Sequence, residues 1–118
     1  MLQGIEHVYQ VKLMRKSMNH DIILTCKSVY FYSPVDESLF FEWIKRIPGI
    51  KKVGGVGDKL YLHFKTTSIS DNDLRDLLAM FYRYKIDMKQ LRQFLNEDNR
   101  EWFYGKPKGY WHRRVFGV

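Results

Sequence analysis

One stretch, residues 70–95 (SDNDLRDLLAMFYRYKIDMKQLRQFL), constrains the fold more than any other part of the chain. It is the only long segment with clear helical periodicity. Leu74, Leu77, Leu78 and Phe81 fall on one face of a helix. Ser70 and Asp73 have capping-box spacing, and Ile69 and Leu74 sit where a hydrophobic staple would sit. Asp71 and Asp73 put negative charge in the first turn, where the helix dipole favours it. A second start signal follows, with Asp87 and Gln90 at cap spacing and Ile86 and Leu91 at staple spacing. In one continuous helix, Leu91 and Phe94 would rotate off the face set by Leu74. The pattern therefore predicts two helices with a break at 85–87.

Upstream the pattern changes period. Ile5, His7, Tyr9, Val11 and Leu13 alternate with polar residues and predict a half-buried strand. Residues 21–31 predict a second strand, with Ile22, Leu24 and Cys26 on one side, close enough in sequence to pair with the first as a hairpin. Ser33-Pro34 opens a helix, since Ser suits the N-cap and Pro the first helical position. Val35, Leu39, Trp43 and Ile47 are expected to form its buried stripe, with Phe40 and Ile44 beside them. Pro48-Gly49 stops it. Residues 50–57 (IKKVGGVG) predict a short twisted strand that turns at Gly57-Asp58. Residues 59–65 return as a strand, with Leu60, Leu62 and Phe64 inward and Tyr61, His63 and Lys65 outward.

The expected fold is a single α+β domain over 1–118, a small antiparallel sheet in the order β-β-α-β-β-α-α with helices packed on one face. Asp98 and Glu101 are expected to cap one more short turn. Residues 99–118 form a basic aromatic segment in which Trp102, Phe103, Trp111 and Phe116 pack back and Arg113 and Arg114 point outward.

A chain of 118 residues with 45% hydrophobic content is large enough to bury a core. The N-terminal sequence lacks a signal-peptide pattern, and no apolar run approaches bilayer length, so a soluble, cytoplasmic protein without membrane association is expected. The single cysteine excludes an intrachain disulfide and a Cys-based zinc site. His7, His20, His63 and His112 lack metal-ligand spacing, so structural roles are expected. Cys26 lies on the apolar side of a strand, and Asp71, Asp73 and Asp76 are explained by capping. The 54–59 run GGVGDK has the wrong spacing for a phosphate loop and leads into a strand rather than a helix. No enzyme, metal or cofactor is expected from these residues.

The net charge of +7 favours an anionic partner. Bases and aromatics concentrate in two clusters. The first is Arg83, Lys85, Lys89 and Arg92 with Tyr82 and Tyr84. The second is Lys106, Lys108, His112, Arg113 and Arg114 with Tyr104, Tyr110 and Trp111. Such residues neutralise phosphates and stack bases, dominate protein interfaces, or form a core with a solvating charged rim. The residues expected to contact a partner are Arg83, Lys89, Arg92, Lys106, Lys108, Tyr110, His112, Arg113 and Arg114.

Residues 77–93 (LLAMFYRYKIDMKQLRQ), Trp102-Phe103 and the ending YWHRRVFG resemble small bacterial proteins of unassigned function. Some of those resemble immunity proteins encoded beside contact-dependent growth-inhibition toxins. The resemblance covers the C-terminal third and transfers no residue role. It implies a non-enzymatic protein, monomeric or weakly dimeric, that binds and neutralises one cognate protein toxin. A small RNA- or DNA-binding domain is the alternative. The charge implies that the chain meets an acidic face or binds outside a nuclease groove, because opposite potentials favour encounter.

Overall fold

Strict alternation along two strands sets the sheet. In the computed structural model, which describes residues 21–117, the chain divides into two compact units, Met1–Thr66 and Thr67–Val118. In the first, β1 (Ile22–Lys27), α1 (Pro34–Lys45), β2 (Ile50–Val56) and β3 (Lys59–Phe64) follow in order. Among the described residues the sheet has the order β1-β3-β2, and both outer strands run antiparallel to β3. Thus β1 and β2 are parallel to each other and joined through α1, with β3 inserted between them. The fold is α+β, as expected. The anticipated first strand and its hairpin fall on residues 1–20, outside the described residues.

Register fixes which side chains share a face. Ile22 pairs with Phe64, Leu24 with Leu62, and Cys26 with Leu60, and all six are buried. β1 stops at Lys27, short of the expected Phe31. Ser28 there adopts a left-handed φ of 53°. Its amide donates to the Asp58 carbonyl at 2.8 Å and its hydroxyl to the Asp58 carboxylate at 2.6 Å. The β2–β3 turn uses Gly57 at φ 61°. A Cβ there would meet nothing within 4 Å, so the backbone conformation, not space, favours glycine.

α1 begins as its sequence dictates, with the Ser33 hydroxyl accepting the Asp36 amide at 3.1 Å. Its buried face keeps part of the expected stripe, with Ile47 just beyond its end buried, and loses the first half. Phe40 and Ile44 are buried, whereas Val35 and Leu39 are 66% and 60% exposed. A four-residue step overshoots a full turn by about 40°, so three steps from Val35 to Ile47 rotate about 120° and cannot hold one face. The Phe40 ring goes inward instead, meeting the edges of Phe31 and Phe41. His63 also departs from the expected outward orientation. It is buried, hydrogen-bonded to the Asp21 carboxylate, which Lys65 also approaches at 3.6 Å.

The second unit is helical: α2 (Asp71–Arg83), a 3₁₀ helix (Met88–Phe94), α3 (Arg100–Phe103) and α4 (His112–Phe116). The Ser70 hydroxyl caps α2 by accepting the Asp73 amide at 3.0 Å. Leu74, Leu77, Leu78, Met80 and Phe81 are all buried. The break at 85–87 forms without Gly or Pro. Lys85 takes φ 58°. The Ile86 amide reaches back to the Phe81 carbonyl at 2.9 Å and the Lys85 amide to Tyr82 at 3.4 Å, a Schellman closure. Buried Ile86 supplies its apolar contact. Left-handed backbone costs a residue with a Cβ about 1 kcal/mol.

Asp87 then starts the next segment, its carboxylate accepting the Lys89 amide at 3.0 Å while the Gln90 side chain donates to the Asp87 carbonyl at 2.9 Å. The segment is 3₁₀ rather than the expected α-helix. Its end is held by Asn99, and the expected short turn carrying Trp102 and Phe103 follows as α3, with Asn99 rather than Asp98 at its N-cap and no side-chain cap bond. The Asn99 amide group donates to Phe94 at 2.7 Å and accepts from Asn96 at 2.9 Å, and Asn96 accepts the Asn99 amide in return at 3.0 Å. The Asn99 side chain supplies a donor and an acceptor together, and the residue is buried.

α4 packs on the 3₁₀ helix. The Arg92 guanidinium donates to the Val115 carbonyl and, at 2.8 Å, to that of Gly117. Phe103 and Val115 are buried, and Trp111 donates its indole N–H to the Phe103 carbonyl at 2.9 Å. Within this unit Trp102, Trp111 and Phe116 are half-buried beside buried Phe103, whereas Tyr104, Tyr110, Arg113 and Arg114 are exposed. Among the described residues no helix is long and apolar enough to cross a membrane.

Candidate partner-binding groove

The two basic clusters are separate in sequence and joined in space. Lys85 and Lys89 from one, and Arg113 and Arg114 from the other, line an open groove of about 560 Å³. Lys85 is there because the Schellman turn ends α2, and Lys89 because the 3₁₀ helix restarts two residues later. The arginines follow from the docking of α4. Among the described residues none of these four cations forms an ion pair. Asp87 is the groove's single acid.

The surrounding rings are exposed but already paired. The Arg114 guanidinium lies 4.4 Å from the Tyr82 ring centre. Tyr110 meets Tyr82 edge-on at 5.0 Å and Trp111 at 5.2 Å. Each such contact is worth about 0.5–1.5 kcal/mol and fixes ring orientation. Partial burial pushes the Tyr110 phenol above its ordinary pKa, so it remains a hydrogen-bond donor at neutral pH. Nearby, the Arg75 guanidinium stacks 3.9 Å from the Trp102 ring, whose buried N–H has no acceptor among the described residues.

Of the nine residues expected to contact a partner, Lys89, Arg113 and Arg114 line the groove, and Tyr110 braces Tyr82 beside Arg114. Arg83, Lys106 and Lys108 are exposed outside the groove lining. Arg92 is engaged in holding α4. The His112 ring lies within 2.8 Å of the Tyr104 carbonyl and packs on Tyr104 and Phe116. Lys85 lies in the first sequence cluster but outside the nine. The break signal at 85–87 was its available clue, because the residue closing a helix lies where the chain changes direction.

The first unit contributes a different environment. A cleft of about 180 Å³ is lined by Cys26, Phe31, Phe40 and Leu60, with the Ser28–Asp58 pair at its rim. The Ser28 hydroxyl holds the Asp58 carboxyl below its ordinary pKa. Burial pushes the Cys26 thiol up to about 12, which removes the nucleophilic thiolate at neutral pH. His63 cannot serve as its base, because alternation along β3 turns it to the opposite sheet face from Leu60, the register partner of Cys26. Native Cys26 is therefore expected to resist a thiol reagent at pH 8 and to react within seconds once unfolded in urea. Equal rates in the two states would contradict its burial. A thiol pKa raised by folding also means stability is lost as pH rises from the unfolded value near 9 toward 12.

Among the described residues no three His, Cys, Asp or Glu side chains converge as metal ligands. No protein-family model, curated protein or solved structure matches the chain.

Proposed function

We propose that this chain is a non-enzymatic binding protein of the immunity type, which neutralises a cognate protein toxin by covering an acidic part of its surface. The observation that carries the reading is the convergence on one groove, beside oriented tyrosines, of four cations that form no ion pair among the described residues. Arg and Tyr in such settings contribute most of the binding energy of protein interfaces, because they bury much area with few flexible torsions. The resemblance of residues 77–93 and of the C-terminal ending to immunity-type proteins supplies the biological form.

The same cations would attract phosphate, so nucleic acid is the competing partner. The rings argue for protein. A base needs an open aromatic face to stack on, whereas Tyr82 carries Arg114 on its face and meets the edge of Tyr110.

The test pairs the chain with the product of an adjacent toxin gene in gel filtration and calorimetry. Arg113→Ala with Arg114→Ala is expected to weaken the complex by about 10-fold or more while lowering the melting temperature by no more than the few degrees that loss of the Arg114–Tyr82 contact accounts for. A complex of unaltered affinity, or no complex at micromolar concentration, would remove the reading.

A further inference from the structure

We infer that Lys85 is retained for binding rather than for folding, and that it is the residue by which the groove holds an acidic segment of a partner protein. This rests on the groove being the partner-binding face.

The described chain has three residues with left-handed backbone: Ser28, Gly57 and Lys85. Two are accounted for locally. Gly57 carries no Cβ, and Ser28 uses its conformation to make two hydrogen bonds to Asp58. Lys85 adopts its conformation to close α2, through backbone bonds that a residue with any side chain could make. Its side chain has no hydrogen bond or ion pair among the described residues, and glycine would close the helix with less strain. A cation at a helix C-terminus does gain from the dipole, but Lys85 is exposed and that gain is screened by water and salt. The turn thus explains the left-handed backbone but not the lysine side chain placed on it, and a strained residue whose side chain the fold does not use points to a role elsewhere. The groove is the one feature that Lys85 serves, beside Lys89, Arg113 and Arg114.

The occupant is a carboxylate-bearing peptide segment. Asp87 also lines the groove and would repel a continuous row of phosphates. Discrete carboxylates on an extended chain can meet the two lysines and two arginines while leaving a gap at Asp87.

The experiment sets two variants, Lys85→Gly and Lys85→Arg, against a fluorescent Glu-rich peptide and a mixed-sequence single-stranded DNA of equal charge, at low salt. Lys85→Gly is expected to raise Tm by about 2–5 °C and to weaken peptide binding by about 5–10-fold. Lys85→Arg keeps both strain and charge, so it should match the wild type in both. A fall in Tm for Lys85→Gly, or unchanged peptide affinity, overturns the inference. The Arg113→Ala, Arg114→Ala pair separates the levels. If it loses peptide while Lys85→Gly does not, the groove stands and Lys85 has no special part in it. If the wild type binds no peptide, the groove reading fails and this inference with it. Tighter binding of the DNA than of the peptide overturns the assignment of a protein segment.

Discussion

Phe81→Ala is expected to destabilise the protein by about 3–5 kcal/mol, read as a fall in the urea midpoint. The ring is fully buried, so truncation both forfeits its transfer from water and leaves a cavity that close-packed neighbours fill only in part. Its position adds to the effect. The Phe81 carbonyl accepts the Ile86 amide that closes the helix, so the backbone around the cavity is tied to the turn and resists collapse. Leu78→Ala should follow at about 2–4 kcal/mol by the same reasoning. A midpoint that barely moves for Phe81→Ala would mean that the apolar stripe of α2 is not packed.

Asn99→Ala is expected to cost about 2–3 kcal/mol. The lost side chain donates to Phe94 and accepts from Asn96 in a site that is 2% exposed. The bond to the Phe94 carbonyl is buried, so that carbonyl loses its donor, and the half-buried amide of Asn96 loses its acceptor. Asn99→Asp should be worse than the isosteric change suggests. A carboxylate cannot donate to the Phe94 carbonyl and sets its charge against that oxygen in a buried site. If Asn99→Asp melts like the wild type at neutral pH, the site is open to solvent and the hydrogen-bond argument fails. Binding through Arg113 and Arg114 should persist in both variants at temperatures well below their melting points.

Local chemistry was legible where it needs only neighbouring residues. Ser33 and Ser70 cap their helices as their spacing predicts, Gly57 turns the hairpin, and the α2 stripe is buried. The break after α2 was legible from a repeated cap-and-staple signal, although the chain builds it with a left-handed lysine. Errors arose where one choice had to be made between two plausible faces. In α1, Val35-Leu39 and Phe40-Ile44 are both apolar pairs at helical spacing. The aromatic contacts available to Phe40, not periodicity, decided between them. His63 was assigned outward by alternation alone. Alternation says which sheet face a residue takes, not whether that face is covered.

The candidate groove shows the same division. Composition and clustering identified cationic residues near Tyr82 and Tyr110, but nothing local told anchored cations from available ones. Arg92 and Arg113 look alike in sequence. Arg92 ends bonded to two carbonyls of the α4 region, whereas Arg113 stays exposed in the groove.

By itself the sequence determined the helix starts at Ser33 and Ser70, the break after α2, the turn at Gly57 and the excess of positive charge, because these depend on spacing and on forces acting over a few residues. Only the tertiary structure decided which helix face is buried and which arginine is an anchor. It also brought Lys85 and Lys89 beside Arg113 and Arg114. Those outcomes depend on which distant carbonyls, rings and charges meet when the chain closes, and no local pattern carries that information.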